Sequence, residues 1–140
     1  MGTNENPVIT LVTGVIGEDV HNVGLKIIEH ALRKAGYKIV SLGVQVPQEE
    51  FMNAARESAA AAILISSLAG HAYVDCKGLR EKCVEAGLEN IRMYIGGQLI
   101  IGEAPWSETE KAFKNLGFTR VYSKNVEISQ IIKDLDADLK

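Results

Sequence analysis

Apolar residues in this chain fall into short solid blocks, separated by stretches in which they recur every three or four positions. Residues 8–15 are apolar and β-branched, and with Gly14 and Gly17 at their end they are too short for a buried helix, so they predict a first strand. From Gly24 the apolar positions Ile27, Ile28, Ala31, Leu32 and Ala35 keep helical spacing, and Gly36 supplies the left-handed residue that commonly closes a helix. Residues 37–42 predict a second strand. Pro47, Glu49 and Glu50 then suit a helix start, with Phe51, Ala54 and Ala55 facing inward.

Residues 61–65 are apolar on both faces, as a central parallel strand covered on each side requires, and residues 74–86 form its helix. A fourth strand over 91–95 ends at Gly96-Gly97. Ser107, with Glu110 three residues on, predicts a capping box for a helix through Leu116, which Gly117 stops. Arg120, Val121 and Tyr122 make a brief fifth strand. Ile128, Ile131, Ile132, Leu135 and Leu139 stripe a last helix, whose charge-rich end from Lys133 to Lys140 is expected to fray.

Strand and helix alternate strictly, so the expected class is α/β: a flavodoxin-like (Rossmann-like), doubly wound, five-stranded parallel sheet with helices on both faces. Ligands of such sheets bind outside the carboxyl ends of the strands, where the strand order reverses between the first and third. Chemistry is therefore expected in the loops at that edge.

At 140 residues, 46% hydrophobic and 24% charged, the chain suits a single domain over 1–140 and excludes a disordered or fibrous one. Its net charge of −3 is too acidic to gather polyanions, so nucleic acid is not an expected partner. No apolar run approaches the ~20 residues of a membrane span, and the start lacks the layout of a signal peptide, so no membrane association and a cytoplasmic location are expected. Cys76 and Cys83 form neither a C-x-x-C pair nor a disulfide framework. With Leu79 and Ala86 they mark one helical stripe and read as core thiols.

The first strand runs into Gly17-Glu18-Asp19-Val20-His21-Asn22-Val23-Gly24. A histidine that ligates a metal must present a neutral nitrogen, and a carboxylate accepting its other ring N–H fixes the tautomer. Asp19-x-His21 has a spacing compatible with that relay, and Gly24 allows close approach of backbone or ligand. The motif alone equally suits a helix start capped by Asp19. Two further signals fall on the same edge, however: Ser66-Ser67-Leu68 ends the third strand and Gly96-Gly97 ends the fourth.

Together, Asp19-x-His21-x-x-Gly24, Ser66-x-Leu68 and Gly96-Gly97 resemble the fingerprint of the cobalamin-binding domains of mutases and methionine synthase. Residues 75–83, 85–88 and 117–122 are similar to the small (sigma) subunits of glutamate mutase, so the resemblance spans nearly the whole chain. It implies that cobalamin binds with its dimethylbenzimidazole detached from cobalt and sunk between sheet and helices. His21 would be the axial cobalt ligand, with Asp19 on its other nitrogen, and Ser66 would hydrogen-bond the benzimidazole while Ser67 and Leu68 sit at the slot. Glu18, Val20 and Asn22 would meet the corrin; Gly96 and Gly97, with Gln98, Leu99, Ile100, Ile101 and Gly102, would flank the nucleotide tail. Tyr122 matches a family tyrosine near that tail, although a half-buried core tyrosine is an equally ordinary role.

The resemblance further implies an isomerase that uses adenosylcobalamin. A separate, larger barrel subunit would hold the small-molecule substrate and convert L-glutamate to threo-3-methylaspartate by a radical mechanism, in an assembly of two small and two large chains. This chain alone would be inactive. It departs from the family pattern at Ala69-Gly70-His71, where relatives carry Tyr-Gly-Gln, and at Ser123-Lys124-Asn125, in place of a Pro-Gly-rich stretch. His71 has Ala69, not a carboxylate, two residues before it and reads as an exposed loop residue, and His30 as a surface one.

Two other functions share this wind. A corrinoid methyl carrier of a methyltransferase system would use the same fingerprint, but such carriers place a helical bundle before the domain, and here a strand begins by Val8. A receiver-type signalling module needs an Asp at the end of the third strand, where Ser66 stands.

Overall fold

The computed structural model describes residues 7–17, 23–68, 71–100 and 103–140. The strands are β1 (Thr10–Val15), β2 (Lys38–Ser41), β3 (Ala62–Ser67), β4 (Arg92–Gly97) and β5 (Arg120–Ser123). They pair in parallel in the order β2-β1-β3-β4-β5, which is the flavodoxin-like wind with its reversal between β1 and β3. The helices are α1 (Val23–Lys34), α2 (Gln48–Ser58), α3 (Ala72–Cys76), α4 (Leu79–Glu85), α5 (Trp106–Asn115) and α6 (Ile128–Leu139).

The side-chain alternation of the strands divides the core in two. Leu11, Ala62, Leu64 and Tyr94 pack with Leu32 of α1 and with Ile131 and Leu135 of α6. Val12, Ile63, Ile65, Met93 and Ile95 face the other way, against Phe51, Leu79, Cys83 and Phe113 of α2, α4 and α5. Because β3 is central, Ile63 and Leu64 are both buried, which explains its unbroken apolar run. Cys76 and Cys83 are free and buried, as core thiols should be, and burial pushes the Cys76 thiol up to about 12.

Several expectations need correction. The helix expected over 74–86 is two, α3 and α4, because Lys77 leaves helical conformation (ψ 129°) and Gly78 is left-handed (φ 84°). The freed carbonyls of Asp75 and Lys77 each accept a hydrogen bond from Nε2 of Gln48, at 2.6 and 2.7 Å, so α2 caps the break. Ser107 is not a cap: α5 starts at Trp106 behind Pro105, whose fixed φ of −64° sets up the first turn, and no side-chain cap bond forms. Strand β1 begins at Thr10, leaving Val8 exposed.

The end of α6 does not fray. Its acids are tied to tyrosines: Tyr122 Oη donates to Asp134 (2.8 Å), Tyr94 Oη to Asp138 (2.8 Å) and Tyr37 Oη to Asp136 (2.6 Å). Arg120 adds a two-pronged contact to Asp138 at 2.7 and 2.9 Å. That guanidinium, together with the Tyr94 hydroxyl, holds the Asp138 carboxyl down at about 2. On the same face, Thr13 of β1 donates to Glu29 of α1, both buried, which ties that helix to the sheet.

Candidate functional site

Register brings the strand ends into one row across the carboxyl edge. Val15 lies opposite Ser66, Ser66 opposite Gly96, and Gly96 opposite Tyr122. Ser66, Gly96 and Tyr122 share the face covered by α1 and α6, and there they border a cavity of about 350 Å³. Its floor is Leu64, Tyr94 and this row; its walls are Gly24, Leu25 and Ile28 of α1, Ile128 and Ile131 of α6, and Ser123, Lys124 and Val126 after β5. The lining is mostly apolar with a few polar groups, the usual constitution of a small-molecule pocket, and its size lies near the lower end of the ~300–1,000 Å³ typical of one.

The two glycines at the end of β4 differ in purpose. Gly97 has φ 123°, and a Cβ on it would overlap the Ser67 carbonyl, so it is glycine because two backbones meet there. Gly96 has no such φ, and a Cβ on it would come no closer than 3.4 Å, to Tyr122 Cβ. Its missing side chain leaves open the slot between Ser66 and Tyr122. Gly24 likewise has no atom within 4 Å of an added Cβ, so no packing in the described residues demands a glycine there; it borders the same space.

The hydroxyl of Ser66, a partly exposed residue, makes no hydrogen bond among the described residues, so it is available to a ligand in the slot. Ser67 points to the opposite face, where its buried Oγ has no hydrogen-bond partner among the described residues. Burial, and then the hydrogen bond to Asp134, push the Tyr122 phenol far above its usual range, so it stays protonated and donates its O–H to the Asp134 carboxylate. Toward the cavity it offers its ring and an acceptor oxygen.

Four apolar side chains stand exposed at this edge: Val23 (74%), Ile27 (53%), Leu68 (42%) and Ile100 (40%), of which Ile27 and Leu68 line the cavity. Gly17, where the loop after β1 begins, has φ 75° and sits against the carboxylate of Asp75. The expected residues Glu18, Asp19, Val20, His21 and Asn22 lie outside the described residues, as do Ile101 and Gly102. Of the others, Gly24, Ser66, Leu68, Gly96, Gly97 and Tyr122 converge on the cavity. Gln98, Leu99 and Ile100 do not line it: Leu99 is buried on the opposite face, and the Gln98 N–H donates to the Ser67 carbonyl at 2.9 Å. His71 and His30 are both exposed.

Sequence reasoning missed Tyr94, Lys124 and the α6 wall. The apolar stripe of α6 was legible, but which sheet face it covers depends on where α6 docks.

Residues 9–114 match the model of the B12 binding domain. The chain is 51% identical, over 93% of its length and 95% of the relative's, to the glutamate mutase sigma subunit of Clostridium tetani. It belongs to the glutamate mutase sigma subunits of the B12 binding domain family. A cobalamin-binding protein from Desulfitobacterium hafniense has the same fold, with a TM-score of 0.79 at 16% identity over 95% of this chain and 60% of that one. The methanol:cobalamin methyltransferase complex of Methanosarcina barkeri contains it too, with a TM-score of 0.72 at 24% identity over 97% of this chain and 49% of that one. At those identities the two structures share the fold alone, whereas the sigma-subunit likeness extends along 93% of the sequence. In this sigma subunit the family match ends before β5 and α6, which supply Tyr122, Lys124 and one wall of the cavity.

Proposed function

We propose that this chain is the cobalamin-binding subunit of an adenosylcobalamin-dependent glutamate mutase. The observation that carries the reading is the slot at the carboxyl edge. A cavity of about 350 Å³ is too small for a corrin but suits a fused two-ring base, and it opens where glycine replaces a side chain, beside a free serine hydroxyl. Those residues fit the nucleotide tail of the cofactor. Ser66 would donate to the benzimidazole nitrogen, a bond worth having because a buried unpaired acceptor costs about 1–3 kcal/mol. Gly96 and Gly24 give the base room, while Leu64, Ile28 and Ile131 exclude water from it.

With the tail in the slot, His21 would ligate the cobalt, and Asp19 would hold its tautomer. Glu18, Val20 and Asn22, its neighbours in sequence, would meet the corrin. Val23, Ile27, Leu68 and Ile100 form an apolar rim for the macrocycle and for the partner that covers it. When bound, adenosylcobalamin supplies a carbon radical through homolysis of its cobalt–carbon bond. The sigma subunit's own contribution is to bind, orient and shield.

Substrate chemistry belongs to a larger catalytic barrel subunit, in an assembly of two small and two large chains that interconverts L-glutamate and threo-3-methylaspartate. We place it in the cytoplasm, a reading supported by two cysteines that remain free thiols. The test is reconstitution. The isolated chain should retain cobalamin through gel filtration and show no mutase activity until the large subunit is added; turnover by this chain alone, or no retention of cobalamin, would contradict the reading.

A further inference from the structure

Among the described residues, Lys124 is the only charged one bordering the cavity. It follows Ser123, the last residue of β5, which pairs with Gly97, so it stands at the mouth of the slot that Gly96 opens. The residue is exposed and, among the described residues, forms no ion pair within 4 Å, although Glu127 is close in sequence. The Asp134 carboxylate, which accepts from Tyr122 of the cavity lining, is already engaged by that hydroxyl, by Gln130 at 2.8 Å and by Arg120 at 3.5 Å. Among the described residues, a cation is therefore left uncommitted beside a lining that is otherwise uncharged.

Resting on the reading of the slot as the nucleotide site, we propose that Lys124 is a specificity-determining residue that pairs with the phosphodiester of the cofactor's tail. The base enters the slot, and the phosphate that links it to the corrin must pass its mouth. A phosphodiester carries one negative charge at neutral pH, which a flexible ammonium meets without burial. An exposed pair of this kind changes affinity by roughly 1.4- to 5-fold and is screened by salt. Lys124 thus selects for complete cobalamin over corrinoids that lack the nucleotide and phosphate.

The test measures affinities of the wild type, Lys124→Gln and Lys124→Glu for hydroxocobalamin and for cobinamide, which lacks the phosphate and base. Measurements are made at about 0.01 M salt, where the Debye length is about 30 Å, and at about 1 M, where it is about 3 Å. Lys124→Gln should weaken cobalamin binding roughly 1.4- to 5-fold at low salt and Lys124→Glu by more. Both losses should shrink at high salt, and cobinamide affinity should not change. Equal effects on both corrinoids, or no effect of charge reversal at low salt, would overturn the role of Lys124. If the wild type itself binds cobinamide as tightly as cobalamin, the slot is not the nucleotide site and the underlying reading fails instead.

Discussion

Replacing Gly96 with valine tests the slot most sharply, because the neighbouring glycine supplies its own control. Gly96 lies in the middle of the row Ser66–Gly96–Tyr122, in extended backbone, with room for a Cβ at 3.4 Å from Tyr122. Valine suits a strand, and losing a glycine's freedom in the unfolded chain stabilises by about 0.4–1 kcal/mol, so the ligand-free variant should melt at or slightly above the wild-type temperature. Its two methyls would project into the cavity of about 350 Å³ and crowd whatever base enters. Overpacking of that kind costs about 1–3 kcal/mol, or roughly 5- to 150-fold in cobalamin affinity at about 1.4 kcal/mol per tenfold. Cobinamide affinity should be unchanged. Gly97→Ala should do the opposite and destabilise the fold, since its φ of 123° and the Ser67 carbonyl forbid a Cβ. Titration by absorption change and melting by circular dichroism give both quantities. Gly96→Val with undiminished cobalamin affinity, or with a collapse in stability matching that of Gly97→Ala, would refute the reasoning.

Two further outcomes follow from the packing. Asp138 is held at about 2 in the folded chain against about 3.9 when unfolded, so its contribution is complete above about pH 4 and fades as pH falls toward 2. Asp138→Asn should cost about 1–3 kcal/mol at neutral pH and flatten the acid limb of a urea-midpoint profile; an unchanged limb would contradict this. Cys76, buried and pushed up to about 12, should resist iodoacetamide at neutral pH in the native protein, and rapid labelling there would show that the α3 core opens.

Local pattern was enough to find each strand, because β3 and β4 carry their burial in unbroken apolar runs, and enough to find the strand ends at Ser66 and Gly96. It could not show that Gln48 caps a helix break 27 residues away, or that Tyr94 meets Asp138 across 44. A charge-rich tail looks soluble until its acids find buried phenols, and only the docked position of α6 reveals that. The same reason hid the role of Lys124: Ser123-Lys124-Asn125 stood out as a departure from the family pattern, but that Lys124 borders the pocket shows only once β5 lies beside β4. The glycine pair was legible as a motif, while the different duties of Gly96 and Gly97 needed the backbone.

The most direct test of the account is electron paramagnetic resonance of the cob(II)alamin form, bound to protein in which every histidine carries ¹⁵N while the cofactor keeps ¹⁴N. If the base has left cobalt for the slot and His21 has replaced it, the superhyperfine lines change from triplets to doublets, and His21→Gly abolishes the doublets. Triplets that persist in the labelled protein would mean that benzimidazole still holds the metal.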